Sequence, residues 1–275
     1  MDKKIILHVD DLWSSIAAND AGFALLDRWI VTSGAVMVPC RGFEDAINRY
    51  RKNLQLDLWI HLTLTSERGP PFAQWGPTLS QSDVPSLVDQ QGYFHKTVDD
   101  FLEKATYADV KKEVCNQIKI ALQTRLPFSH YDSHMGVLLH RKFFPVYKEI
   151  TTLFNLSPFI CNPVPEDTLG NWFFDCQPEI EELCQKGYRV VDHYEGSSPY
   201  SGADFSLFFS NRLKNIQDWT TYFLLHVLSD NLSIQDKTPD VTARINEYNW
   251  VKWECFTKSM QDNHIRGISM KDFLS

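Results

Sequence analysis

The sequence of 275 residues has no apolar run near the length that spans a bilayer, which takes about 20 residues. Its basic residues form no long block, whereas a nucleic-acid-binding face needs clustered Lys and Arg. It also has no internal repeat, low-complexity tract or linker-like segment. These absences predict one domain over residues 1–275, with neither a membrane nor a nucleic acid as partner.

The six cysteines lack the C-x-x-C spacing of a thiolate metal site. The first apolar run, residues 4–9, is too short for the core of a signal peptide and is followed by two aspartates. We therefore expect a cytoplasmic protein whose thiols stay reduced. The apolar fraction of 43% and the net charge of −8 are ordinary for a folded, soluble globule.

Short apolar runs alternate with helical patterns along the chain. The runs predict strands at residues 4–9, 34–38, 56–65, 128–132, 157–161, 188–193 and 222–228. Helices are predicted between them, for example where Val110, Val114, Ile118 and Leu122 recur at helical spacing after Thr106. Such alternation indicates a parallel sheet. We predict a single-domain α/β fold, a TIM-barrel-like (β/α) barrel, with an open doubly wound sheet as the alternative.

Residues 66–100 show little periodicity and read as a long loop. A loop of that length inside a compact domain is usually functional. Aromatic side chains can line a small-molecule site, although most aromatics only pack in cores. Trp75, Tyr93 and Phe94 of this loop, together with Trp13, are predicted to contact a substrate.

Polar side chains lie where several predicted strands end. They are Asp10, Asp11, His61, His130, Asp132, His134 and His226. In parallel α/β folds the carboxyl ends of the strands meet at one face, so these residues should converge there. One carboxylate with two imidazoles suits a divalent first-row metal. Simpler interpretations stay open, since the two aspartates could cap a helix and His61 or His226 could be a hydrogen-bonded core residue.

Five short motifs stand in order along the chain. They read V-D-D-L-W at residues 9–13, I-V-T-S at 30–33, I-H-L-T-L-T at 60–65, S-H-Y-D-S-H at 129–134 and H-V at 226–227. This set resembles the YdjC-like carbohydrate deacetylase family, which includes the chitooligosaccharide deacetylases. That family has A-D-D-F-G, I-V-T-S, G-x-H-x-x-L-T, T-H-x-D-S-H and H-P in the corresponding places.

The resemblance implies a metal-dependent removal of acetyl from an N-acetylated sugar or oligosaccharide. It implies one divalent ion, Zn or Mg, bound on a deformed barrel. Proteins of that family are often dimeric, so a homodimer is one assembly that the resemblance allows. Asp11, His61 and His134 would hold the metal. Asp10 would be the general base, and His226 would be the acid or a group on the oxyanion side. The predicted substrate-binding residues are Trp13, His130 and Asp132.

The sequence also departs from the family pattern. Leu12 and Trp13 replace Phe-Gly, Met135 and Gly136 replace V-H, and Val227 replaces the proline. These changes keep every implied ligand but put the substrate in question. A metal-dependent phosphoesterase and a sugar-binding relative without turnover remain alternatives. A non-haem iron oxygenase is disfavoured, because its ligands usually sit on a jelly roll.

Overall fold

The computed structural model describes residues 3–12, 14–67, 74–162, 176–196, 205–232 and 240–275. Their centre is a parallel sheet curled into a half-barrel. Its strands are β1 (Lys3–Leu12), β2 (Ser33–Val36), β3 (Leu58–Leu62), β4 (His130–Ser133), β5 (Ser157–Pro158), β6 (His193–Glu195) and β7 (Thr220–His226). Their order is β5-β4-β3-β2-β1-β7-β6. A further strand, β8 (Ile265–Gly267), pairs with the first residues of β1, where β2 does not reach.

Helices connect the strands, as the alternating pattern predicts. They are α1 (Ile16–Leu26), α2 (Phe43–Tyr50), α3 (Val98–Lys104), α4 (Tyr107–Gln123), α5 (Phe144–Phe154), α6 (Gln177–Gln185), α7 (Phe205–Lys214), α8 (Val241–Lys252), α9 (Glu254–Asp262) and α10 (Met270–Leu274). The chain from residue 241 to 262 forms two helices and not one, because Trp253 between them is extended with φ −83° and ψ 149°. None of the helices in the described ranges is both long and apolar enough to span a bilayer.

A complete TIM-like barrel is not formed by the described residues, so this part of the fold prediction is corrected. The strand path is open between β5 and β6, where a single parallel bridge joins Cys161 to Val191. The strand predicted over residues 157–161 is only two residues long. Pro158 itself does not break the ladder with β4, because the next N–H, that of Phe159, donates to the Tyr131 carbonyl oxygen at 2.8 Å.

The segment predicted as a structureless loop is largely ordered over residues 74–100. It contains a 3-10 helix at Pro85–Leu87, a bridge between Val88 and Phe94, and the start of α3. Leu87 and Phe94 are fully buried. These apolar anchors are irregularly spaced, which is why periodicity alone misses them.

Candidate active site

The two adjacent aspartates lie in β1, which continues three residues past its predicted end at Val9. In a regular strand, neighbouring side chains point to opposite faces. Here the register with β2 shifts between Val9 and Leu12, and Asp11 has a left-handed backbone with φ +55°. Such a bulge re-aims a side chain. Both carboxylates therefore approach His226, whose Nε2 is 4.0 Å from Asp10 Oδ2 and 3.8 Å from Asp11 Oδ2.

His61 and His134 approach the same place from β3 and from the end of β4. The chain leaves β4 through two successive left-handed residues, Met135 (φ 50°) and Gly136 (φ 62°). This tight turn directly follows His134 and keeps the imidazole buried at the carboxyl end of the sheet. The predicted convergence of these two histidines with Asp11 is therefore present in the structure.

Three atoms form a compact triangle that could hold an ion. Asp11 Oδ1 is 3.1 Å from His134 Nδ1 and 3.6 Å from His61 Nε2, and the two nitrogens are 3.3 Å apart. Ligands bound tetrahedrally at about 2.0–2.1 Å lie about 3.3 Å from each other. Asp11 Oδ1 is also buried with no hydrogen-bond partner among the described residues. These three residues, here called the metal triad, fit a divalent ion in spacing and donor type.

Asp132 orients one member of the metal triad. Its Oδ1 lies 2.6 Å from His61 Nδ1, and both side chains are buried. A proton on Nδ1 leaves a lone pair on His61 Nε2, the atom that faces Asp11 and His134. A carboxylate behind a metal-binding histidine is the usual outer-shell arrangement. The structure thus places Asp132 behind His61, while its predicted contact with substrate stays a prediction.

Protonation of His61 depends on the surrounding carboxylates. Burial lowers the pKa of His61, but Asp10, Asp132 and Asp11 together raise it to about 10. Burial similarly raises the pKa of Asp11, yet His134 and Arg244 hold it well below its ordinary value. A metal ion bound here would therefore displace a proton from His61 while meeting an ionised Asp11.

Asp10 stands beside the metal triad with its own neighbours. Its Oδ1 lies 3.3 Å from His61 Nδ1 and 3.5 Å from His8 Nε2. Burial opposes ionisation, but His61 and His8 lower the pKa of Asp10 below its ordinary value. His8 is fully buried, stacks on Trp59 at 3.7 Å between ring centroids, and pairs its Nδ1 with Ser33 Oγ at 3.1 Å. Sequence reasoning missed His8, although it precedes Asp10 by two residues and so shares its strand face.

The remaining predicted substrate contacts lie in different surroundings. Trp13 is outside the described residues. His130 is fully buried, 3.8 Å from the Trp59 ring between centroids, with Nδ1 2.8 Å from Ser129 Oγ. Its predicted contact with substrate stays a prediction, which this burial does not favour. Phe94 is also buried in the core.

A cleft shares one residue, Trp75, with the surroundings of His134. Trp75 meets the His134 ring edge-on at 6.1 Å between centroids. Together with Arg41, Gln74 and Tyr93 it lines a cleft of about 690 Å³. Trp75 and Tyr93 are two of the loop aromatics predicted to contact substrate, and this cleft gives them a place to do so.

Two residues of α8 support the site, and sequence reasoning missed both. Arg244 donates from Nη1 to Asp11 Oδ2 at 2.8 Å. Three residues along the same helix, Glu247 accepts the backbone N–H of His226 on Oε2 at 2.6 Å. The i, i+3 spacing puts both side chains on one helix face. No local pattern marks this face, because it is recognisable only once α8 is seen to pack beside β1 and β7.

Glu247 should make stability depend on pH. Burial raises the pKa of Glu247 from 4.5 to about 8, against the opposing effects of the His226 N–H and Arg244. Between these values the folded protein keeps a proton that the unfolded chain has lost, so the free energy of unfolding falls as pH rises. Glu247→Gln removes this dependence. The free energy of unfolding of Glu247→Gln, taken relative to that of wild type, should therefore be about 1–4 kcal/mol higher at pH 8 than at pH 5.

Urea unfolding of the metal-free proteins at both pH values measures this gain. Glu254→Gln, at an exposed position at the start of α9, controls for the substitution itself. If the free energies of unfolding of Glu247→Gln and wild type differ by the same amount at both pH values, Glu247 is ionised in the folded protein.

A family model and two named relatives match much of this chain. The family model described as YdjC-like protein matches residues 4–262. A carbohydrate deacetylase of Brevibacillus brevis is 32% identical over 226 residues, which cover 82% of this chain and 80% of that protein. A carbohydrate deacetylase of Thermus thermophilus is 32% identical over 166 residues, covering 60% of this chain and 55% of that protein.

A solved structure supports the fold. It is an Enterococcus faecalis V583 protein whose name refers to cellobiose-phosphate cleavage, and it matches with a TM-score of 0.82 at 21% identity. Each chain is covered over 100% of its length. At that identity the likeness concerns the fold alone. The family model and the Brevibacillus relative, together with the ordered Asp and His motifs, show that this chain belongs to the YdjC-like protein family.

Proposed function

We propose that this protein is a metal-dependent hydrolase that removes the acetyl group from an N-acetylated sugar or oligosaccharide. The observation that carries the proposal is the metal triad, in which Asp11 Oδ1, His61 Nε2 and His134 Nδ1 lie 3.1–3.6 Å from one another. The names of the carbohydrate deacetylase relatives supply the substrate class.

The metal triad determines which ion is expected. A divalent ion held there would lower the pKa of a coordinated water and polarise the acetyl carbonyl. Two imidazoles and one carboxylate favour zinc or a similar first-row ion over magnesium, which prefers oxygen ligands. Asp132 fixes the orientation of His61 by accepting from its Nδ1.

Asp10 is the proposed general base. Its low pKa keeps it ionised at neutral pH, and it stands beside the metal triad without belonging to it. It would take a proton from the attacking water.

His226 is the proposed acid toward the departing amine. Burial lowers the pKa of His226, so its imidazole starts neutral at pH 7 and must gain a proton during the reaction. Asp10, whose Oδ2 lies 4.0 Å from His226 Nε2, is the nearby donor once it has accepted the water's proton. The two residues would thus pass one proton from the water to the leaving group.

The cleft lined by Trp75 and Tyr93 is the proposed place for the sugar. Trp75 and the partly exposed Tyr93 line it with aromatic side chains, and the exposed Arg41 brings hydrogen-bond donors. Aromatic rings beside a few polar groups are typical of small-molecule sites.

The direct test is acetate release from a panel of N-acetylated amino sugars and oligosaccharides, with the metal-free protein and after adding Zn²⁺, Co²⁺ or Mg²⁺. We expect release only with metal present, and most with zinc or cobalt. Hydrolysis of phosphate esters without acetate release would favour the phosphoesterase alternative. Binding of an N-acetylated sugar without either reaction would favour a binding protein.

A further inference from the structure

Arg244 is a buried cation surrounded by carboxylates. Its side chain is 7% exposed. Nη1 donates to Asp11 at 2.8 Å, Nη2 to Glu67 at 3.2 Å, and Nε to Asp240 at 2.8 Å. A buried charge is tolerated when it is paired and hydrogen-bonded in this way. All three guanidinium nitrogens are therefore engaged, each with a different carboxylate.

Arg244 divides the two oxygens of Asp11 between different roles. Oδ2 accepts from Arg244, whereas Oδ1 faces His134 Nδ1 at 3.1 Å and His61 Nε2 at 3.6 Å. With Oδ2 engaged, Asp11 presents one oxygen to the centre of the metal triad. The orientation of the Asp11 carboxylate depends on this hydrogen bond from Arg244, because Asp11 lies in a left-handed bulge that departs from the regular strand.

The guanidinium is itself fixed from two other directions. Asp240 lies one turn earlier, at the start of α8, and Glu67 follows β3 in the chain. The planar fork of arginine can reach all three carboxylates at once, whereas a lysine ammonium cannot reproduce that geometry. Arg244 therefore connects α8, the segment after β3, and Asp11 in one rigid arrangement.

We propose that Arg244 is a positioning residue that holds Asp11 as a one-oxygen ligand of the metal triad. This inference rests on the metal site of the proposed function. It makes Arg244 a determinant of metal affinity although it would not touch the ion.

A positioning role of Arg244 and a purely electrostatic role make opposite predictions for zinc affinity. A guanidinium near a metal site repels a cation, so charge alone predicts tighter zinc binding when Arg244 is neutralised and no change when it becomes lysine. Positioning predicts weaker zinc binding in both variants, because each loses the fork that holds Asp11. Changes to outer-shell partners typically weaken metal binding by about 10–100-fold.

The experiment is a zinc titration of the metal-free proteins by calorimetry with a competing chelator. Arg244→Lys keeps the charge and is the first variant, and Arg244→Met is the second. We expect zinc affinity to fall by about 10–100-fold in Arg244→Lys and at least as far in Arg244→Met. Circular dichroism and melting temperature check that each variant is folded.

Arg212→Met is the matched control, because Arg212 is a largely buried arginine of α7 paired with Glu195, outside the metal triad. It should lose stability and keep wild-type zinc affinity. Unchanged affinity in Arg244→Lys, or tighter binding in Arg244→Met, would overturn the positioning role while leaving the metal site intact. If wild type itself binds no zinc, the proposed metal site fails and this inference fails with it. Zinc binding without acetate release would refute only the proposed reaction.

Discussion

Asp10→Asn is expected to slow acetate release by about 10²–10⁴-fold, the usual loss when a general base is removed. An amide cannot accept the water's proton, although it has nearly the same shape as the carboxylate. Zinc affinity should stay close to wild type, because Asp10 is outside the metal triad. Its removal also leaves the hydrogen bond between His61 and Asp132 in place.

Asp57→Asn is the matched control for this prediction. Asp57 is also a buried aspartate, but it precedes β3 and therefore lies at the opposite end of the sheet. It accepts hydrogen bonds from Ser129 Oγ at 2.7 Å and from the backbone N–H of Lys271 at 2.8 Å. Its loss should lower the melting temperature and spare turnover per folded molecule.

Three measurements on both variants separate the roles: zinc affinity, melting temperature and the rate of acetate release. Wild-type activity in Asp10→Asn would eliminate Asp10 as the base. Loss of zinc from Asp10→Asn would mean that Asp10, and not Asp11, is the ligand. Helix capping no longer explains the pair, because Ser15 caps α1 by accepting from the N–H of Ala18 at 3.2 Å.

Much of the site could be predicted because its residues follow strands. Asp11, His61 and His134 come at the ends of three apolar runs, and parallel strands bring those ends together. What could not be predicted is the geometry between them. A strand pattern sends Asp10 and Asp11 to opposite faces, and only the bulge at Asp11 explains why both approach His226.

The supporting residues were missed for a different reason. Arg244 lies 233 residues from Asp11 in sequence, on a helix whose pattern shows nothing unusual. A buried ion pair depends on which helix packs against which strand, and that is a property of the tertiary fold. Barrel closure is a similar case, because it depends on whether the edge strands β5 and β6 pair with each other, which the separate strand patterns do not show.

His134→Asn is expected to lose the metal, whereas His130→Asn should keep it. The two histidines lie four residues apart, both are buried, and either change removes an imidazole. They differ in surroundings, because His134 Nδ1 faces Asp11 Oδ1 and His61 Nε2, while His130 packs against Trp59 and Ser129. Both variants should therefore lose stability, and only one should lose zinc.

The expected loss of zinc affinity for His134→Asn exceeds the about 10–100-fold typical of outer-shell changes, since one of the three proposed ligands is removed. Elemental analysis of purified protein and zinc titration measure it, and His61→Ala tests the second imidazole in the same way. Full metal occupancy in both His134→Asn and His61→Ala would show that the ion binds elsewhere. The groups that contain Asp10, either with His8 and Asp132 or with Asp11 and His226, would then be tested next. If His130→Asn loses zinc as well, the loss in these variants comes from disturbed packing of β4 and not from removal of a zinc ligand. Loss from His134→Asn and His61→Ala alone is the result that assigns these two histidines to the metal.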